Sequence, residues 1–189
     1  MNMNLSSEEK KTLLDIARHS IVSSVKGVPI PDLEESYSIS PSLEIKAGAF
    51  VTIEMNQRLR GCVGYIQSNE PLCETVSKAA VSAALHDNRF NPLTVGELGN
   101  IEIEISVLSP MNKVKDVGNI IPGQHGLLIE RGFHHGLLLP QVATEYRWDR
   151  ETFLDQTCVK AGLPKDAWKK PDTVIYSFTA LVFNEEEIS

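Results

Sequence analysis

The first arrangement in this sequence that could do chemistry is a free thiol near a guanidinium. In Leu59-Arg60-Gly61-Cys62-Val63-Gly64, Arg60 and Cys62 are two apart, so on a regular strand both side chains leave the same face. A cation close to a cysteine favours the thiolate, the nucleophilic form. Gly61 and Gly64 interrupt that strand, where glycine costs stability, and one reason to accept the cost is the close approach of a ligand or of another backbone. These residues make Cys62 a candidate catalytic thiol, with Arg60, Gly61 and Gly64 candidates for ligand contact. The plainer alternative is a small buried cysteine beside a bulge, since free Cys often serves only as a small hydrophobe. Cys73 and Cys158 fall on helical patterns and read as core or boundary residues.

A thiol nucleophile needs a base and a group to orient it. Five histidines are available: His19, His86, His125, His134 and His135. His86 closes a helical pattern just before Asp87 and Arg89, and His125 sits in a glycine-containing loop; both are candidate bases, though for every His an ordinary structural role stands beside the functional one. His134 and His135 are adjacent and would point to opposite faces of a strand. Gln141 and Glu145 are four apart and share one face of a helix; either that face is simply wet, or the two are a polar pair aimed at a ligand. Arg89 and Phe90, in the loop Asp87-Asn88-Arg89-Phe90-Asn91-Pro92, complete the candidate ligand contacts. No set of ligands has the tight spacing of a metal centre, so a metal site using Cys62 with His86, His125 or Glu145 ranks last.

Other chemistries lack their signatures. There is no phosphate-binding glycine loop followed by Lys-Ser or Lys-Thr, no GxGxxG, no GxSxG, no HExxH and no CxxC. The 189 residues are 42% hydrophobic and 23% charged, the balance of a chain that buries an ordinary core. The formal charge of −7 argues against nucleic acid, whose binders displace counterions with a basic face. Three unpaired cysteines suit a reducing compartment, no apolar run reaches membrane-span length, and the first residues lack a signal-peptide pattern. A cytoplasmic protein, without nucleic-acid or membrane partners, is expected.

The elements that must position these groups alternate between strand and helix periods. Ser6 to Glu9 is a capping box, and apolar residues from Leu13 to Val25 recur at helical spacing until Gly27 and Pro29. A connector containing Pro29, Pro31 and Pro41 follows. Ala49 to Met55 alternates as a strand, Asn56-Gln57-Arg58 turns, and Leu59 to Ile66 returns. A helix capped at Asn69 with Pro71 in its first turn runs to His86, rich in small residues, so something packs closely on it. Ile101 to Val107 is a half-buried strand. The second half has the same order: strands at Leu127–Glu130 and His134–Leu139 about an Arg131-Gly132 turn, a helix capped by Asp149, and a last strand from Thr173 to Phe183. No residue repeat accompanies this echo. Glu185 to Glu187 read as a solvated acidic end.

Several of these segments together resemble the AMMECR-one domain family. They are Leu59 to Gly64, Asp87 to Pro92, Ile103 to Pro110, Leu139 to Ala143 with Glu145 and Trp148, Phe153-Leu154, Cys158, and Lys160 to Pro164, in the family's order over nearly the whole chain. Asn88 departs from the family's usual proline. The resemblance implies an α+β fold with an N-terminal helix and two strand-strand-helix-strand repeats around one curved, barrel-like mixed sheet. It implies one domain, divisible near residues 1–110 and 111–189, with a cleft near the Arg-Gly-Cys segment. It also implies a shared pathway with a Memo-type, dioxygenase-like protein and a radical SAM protein, while supplying no cofactor and no reaction. Three functions follow as expectations: an enzyme or enzyme component acting on a small molecule or a protein through Cys62, an adaptor binding a peptide or partner enzyme in the same place, and a metal-binding protein.

Overall fold

A computed structural model describes residues 4–188; the first three residues, where no signal pattern is read, and Ser189 lie outside it. Helix α1 (Ser7–Lys26) begins as its capping box requires: the Ser6 amide donates to Glu9 Oε2 at 2.8 Å and the Glu9 amide to Ser6 Oγ at 3.2 Å. It ends at Gly27, whose φ of 68° is the left-handed C-cap conformation. A short helix α2 (Leu33–Ser36) interrupts the connector, and strands β1 (Ala49–Met55) and β2 (Arg58–Tyr65) form a hairpin. Asn56 and Gln57 both take positive φ, 53° and 59°, as the two-residue turns that match strand twist demand. Helix α3 (Leu72–Leu85) has Pro71, not Asn69, at its N-cap. Strand β3 (Ile101–Leu108) then pairs antiparallel with β1.

The remaining elements are β4 (Asn112–Lys113), β5 (Gly126–Arg131), β6 (His134–Leu138), α4 (Pro140–Glu145), α5 (Arg150–Lys160), β7 (Val174–Phe178), β8 (Ala180–Asn184) and α6 (Glu185–Ile188). The α+β class, the N-terminal helix and both strand-strand-helix-strand passages are present. The single barrel-like mixed sheet is not. Among the described residues the strands form two four-stranded sheets, in the orders β2-β1-β3-β8 and β4-β7-β5-β6, with no closed barrel. Each sheet has its own helices and its own core, so neither has to close on the other's edge. One core gathers Leu13, Ile16 and Ile21 of α1, Val76, Ala79 and Ala80 of α3, and Val51, Ile53, Ile103 and Phe183 of the sheet. The other gathers Leu127, Ile129, Ile175, Phe153, Leu154 and Cys158.

By contacts the chain divides into two compact units, residues 4–108 with 181–188, and residues 109–180. The strand expected from Thr173 to Phe183 is therefore two strands in two sheets. Thr179 breaks it: its amide donates to Ser109 Oγ at 2.9 Å and its carbonyl accepts from the Ser109 amide at 2.9 Å, so it serves Ser109 instead of a ladder. The acidic end is not solvated at Glu185. That carboxylate makes a bidentate pair with Arg18 and accepts from the Ile103 amide at 2.9 Å, tying the C-terminus to α1 and β3. Glu185→Ala should leave Arg18 and that amide short of partners, for a loss of about 2 kcal/mol in urea denaturation; a change under about 0.5 kcal/mol would mean the clasp is idle.

Strand register exposes a repeat. In the first unit Ile53 stands between Gly61 and Ile103; in the second Ile129 stands between Gly136 and Ile175. Each glycine lies under the last turn of its helix. A Cβ at Gly61 would stand 2.2 Å from the Ala83 carbonyl oxygen, and one at Gly136 would stand 2.3 Å from the Ala161 nitrogen. The close packing expected on small-residue α3 is thus strand backbone against helix backbone.

Candidate functional site

The site grows from a bulge in β2. Between Ile53↔Gly61 and Glu54↔Leu59 the register slips by one, leaving Arg60 without a partner on β1. A bulge re-aims side chains. Here it directs Arg60 to the loop after α3, where Nε donates to Glu97 Oε1 at 2.8 Å, Nη2 to Glu97 Oε2 at 3.2 Å, and Nη1 to the Asn91 carbonyl at 3.0 Å. The Arg60 guanidinium holds the Glu97 carboxyl well below its ordinary range, at about 2. Arg60 is therefore engaged as a brace.

The same slip sets Cys62 opposite Thr52, on the face away from α3. The sulfur is half-buried and accepts a hydrogen bond from Thr52 Oγ1 at 3.3 Å. β2 is an edge strand, and its exposed peptide groups at Cys62 are closed by two side chains. The Cys62 amide donates to Asp87 Oδ2 at 2.8 Å, and Arg89 Nη2 donates to the Cys62 carbonyl at 3.1 Å. Arg89 also grips Asp87, Nε to Oδ1 at 2.9 Å and Nη2 to Oδ2 at 2.7 Å. That pairing holds the buried Asp87 carboxyl far below the usual carboxylate range; burial opposes the shift and the Cys62 amide assists it. Arg89 is raised above its ordinary value chiefly by Asp87, with the Cys62 side chain adding to the effect. The guanidinium that reaches the Cys62 main chain, at its carbonyl, is thus that of Arg89, half-exposed over the Phe90 ring at 5.6 Å.

Of the residues singled out in the sequence, the first unit brings together Arg60, Gly61, Cys62, Arg89 and Phe90. Gly61 is accounted for by Ala83. Gly64 is accounted for by β1, where a Cβ would stand 2.3 Å from the Ala49 carbonyl oxygen and 2.5 Å from the Phe50 ring. His86 is exposed at the C-cap of α3, its amide bonded to the Ser82 carbonyl. His125, Gln141 and Glu145 belong to the second unit. His125 Nδ1 accepts from the Ile121 amide at 3.1 Å, which makes it a turn anchor. Glu145 is exposed, and Gln141 Oε1 is buried without a hydrogen-bond partner among the described residues. Sequence reasoning missed Asp87, Thr52 and Glu97. Asp87 was findable, as the acidic member of a loop that also supplies Arg89. Among the described residues no three His, Cys, Asp or Glu side chains are grouped to hold a metal ion, and no helix is long and apolar enough to cross a membrane.

The AMMECR1 family model matches residues 14–183, which contain the bulged strand, its edge-closing loop and both sheets. The chain belongs to the AMMECR1 family. A relative from Methanothermobacter thermautotrophicus is 42% identical over 191 residues, covering 96% of this chain and 97% of its own. A Pyrococcus furiosus relative is 43% identical over 165 residues, covering 82% and 79%. Among solved structures, the crystal structure of the uncharacterized protein PH0010 from Pyrococcus horikoshii has a TM-score of 0.86 at 39% identity, covering 92% of this chain and 90% of that one. As an AMMECR1 protein the chain shares its fold with PH0010.

Proposed function

We propose that this AMMECR1 protein is a thiol-using enzyme or enzyme component, with Cys62 the reacting group and Arg89 its neighbouring cation. The observation that carries this reading is the internal repeat. Aligned on Gly-Ile-Ile, the Cys62–Thr52 pair of the first unit corresponds to Leu137–Leu128 of the second. The architecture therefore accepts two leucines there, and packing alone does not call for a sulfur held by a hydroxyl. Cys73 and Cys158 are buried, and burial pushes both thiols up, away from reactivity. Asp87 fixes the Cys62 amide and the Arg89 guanidinium at once, so a substrate would meet a site already in place. A pathway shared with Memo-type and radical SAM proteins, which the sequence resemblance implies, would make this a component role acting on a small molecule or a protein.

A charge-sensitive alkylation tests it. Iodoacetate carries a carboxylate and iodoacetamide does not. If Arg89 serves the sulfur's reactions, Cys62 favours iodoacetate, and Arg89→Gln lowers the iodoacetate-to-iodoacetamide rate ratio about fivefold, the effect of roughly 1 kcal/mol at a half-exposed site. The difference shrinks in 1 M salt. An unchanged ratio in Arg89→Gln would rule out the assigned cation. The bracing of this surface by Arg60 and Asp87 equally suits a rigid recognition module. Cys62→Ser separates the two readings, since a module keeps its partner and an enzyme loses turnover.

A further inference from the structure

Cross-strand register puts a carboxylate in the same row as Cys62. Thr52 of β1 pairs with Cys62 on one side and with Glu104 of β3 on the other. Side chains directly opposite each other in an antiparallel pair have Cβ atoms about 4.5–5.5 Å apart. The row therefore runs thiol, hydroxyl, carboxylate, and the middle hydroxyl already donates to the Cys62 sulfur. Ile103 and Ile105 face the core, so Glu104 between them leaves from the opposite face of the sheet, the face of Cys62. All three residues are half-buried. In the second unit the matching row is Leu137, Leu128 and Tyr176, so the architecture requires neither a hydroxyl nor a carboxylate there.

A reacting thiol needs a base, and the histidines first named for it do other things: His86 is exposed at its helix end and His125 anchors a turn. We propose that Glu104 is the proton acceptor for Cys62, working through Thr52, an inference that rests on the thiol-using reading above. In the step, the Sγ–H bond of Cys62 breaks and its proton passes to Thr52 Oγ1, while the Thr52 hydroxyl proton passes to Glu104. The sulfur keeps the electron pair, Thr52 ends as it began, and the negative charge has moved from Glu104 to Cys62. The thiolate then accepts a hydrogen bond from Thr52, the direction the structure shows. Between an ordinary thiol and an ordinary carboxylate this transfer is uphill by about 4 pKa units. The hydroxyl bond to the sulfur favours the anion, and only the fraction reacting at any moment has to carry it. The other charged groups nearby are placed differently. Glu54 and Glu102 share this face one row along and stand opposite each other. At the edge Asp87 and Arg89 hold one another, Glu185 of α6 is held by Arg18, and β8 contributes no titratable side chain.

The pH profile of Cys62 alkylation by iodoacetamide, a neutral reagent, followed by peptide mass on the full-length protein, tests this. A proton shared between sulfur and carboxylate is neither gained nor lost between the two apparent pKa values of the pair. The wild-type rate should therefore hold level from about pH 6 to about pH 5, above the ordinary carboxylate range, whereas a solitary thiol slows about tenfold over that unit. Asp87 and Glu97 stay ionised throughout, so the surroundings of Cys62 do not change with the acid. Glu104→Gln and Thr52→Val should each give the solitary-thiol slope and react about tenfold more slowly than wild type at pH 5. Thr52→Ser should keep the level stretch, and so should Glu102→Gln, which removes a charge from the same face. A wild type with the solitary-thiol slope would overturn the proposal. So would a level stretch that survives Glu104→Gln or is lost equally in Glu102→Gln, or a Glu104→Gln protein that reacts faster at pH 5, as the loss of an anion without the loss of a base would cause. In each of those cases a Cys62 that still responds to Arg89→Gln leaves the thiol-using reading standing. A wild-type Cys62 as inert as Cys73 and Cys158 would overturn both.

Discussion

Gly61→Ala should destabilise the first unit by about 3 kcal/mol, the upper part of the range for forcing a methyl into filled space. The added carbon would stand 2.2 Å from the Ala83 carbonyl oxygen, which is main chain at the end of a packed helix and cannot swing aside as a side chain would. Strand or helix must move. Moving the strand pulls Cys62 from Asp87, and moving the helix opens the core at Ala83. Chemical denaturation should show the loss as a lower midpoint, and Gly136→Ala, with its methyl 2.3 Å from the Ala161 nitrogen, should do the same to the second unit. Gly96→Ala is the control: nothing lies within 4 Å of its added carbon and its φ needs no glycine, so it should change stability by less than about 0.5 kcal/mol. A Gly61→Ala protein as stable as that control would show that the helix yields cheaply and that strand–helix contact does not hold the site.

The elements were legible in the sequence because period and caps agree, as at Ser6, Gly27 and Asp149. The site was legible as a segment and not as a face. Counted from the Asn56-Gln57 turn without interruption, Cys62 would pair with Val51 on the core side and Arg60 with Ile53. A one-residue bulge reverses both, since a slip of one moves every side chain to the other face. Burying Arg60 against Ile53 would strand a charge in the core, so the bulge follows from the sequence in retrospect; nothing local announces it. Hence Arg60, picked as the cation, is the brace, and Arg89, 27 residues beyond Cys62, is the guanidinium that reaches the Cys62 carbonyl. The repeat was hidden for a related reason. Its identical residues are one per strand, and they align only once cross-strand register is known. The break at Thr179 was also out of reach, because the residue that causes it, Ser109, is 70 positions away.

Replacing Asp87 should be as damaging as the glycine change, and the damage should depend on pH in one direction. Asp87 is 7% exposed and its oxygens satisfy the Cys62 amide, the Arg89 amide and the Arg89 guanidinium. Asp87→Ala leaves two backbone donors and a cation short of an acceptor, at a cost of about 2–4 kcal/mol near pH 7, with the half-exposed guanidinium recovering part of its hydration. The folded carboxyl ionises far below its unfolded value of roughly 3.9. Its stabilisation is therefore complete above that value and is lost as pH falls toward the folded one. The gap in stability between wild type and Asp87→Ala should stay constant from pH 7 to 5 and narrow below pH ~4 by at most about 1.4 kcal/mol per pH unit. Glu97, held low by Arg60, adds to the same acid limb in both proteins and so cancels from the difference. A gap that widens on acidification would place the low-pH sensitivity elsewhere. A gap near zero at pH 7 would mean that the edge of β2 at Cys62 closes without its carboxylate. The Cys62 alkylation rate then decides whether Asp87 serves the thiol as well as the fold: it should change in Asp87→Ala even under conditions where the variant is fully folded, because the guanidinium that Asp87 aims is released.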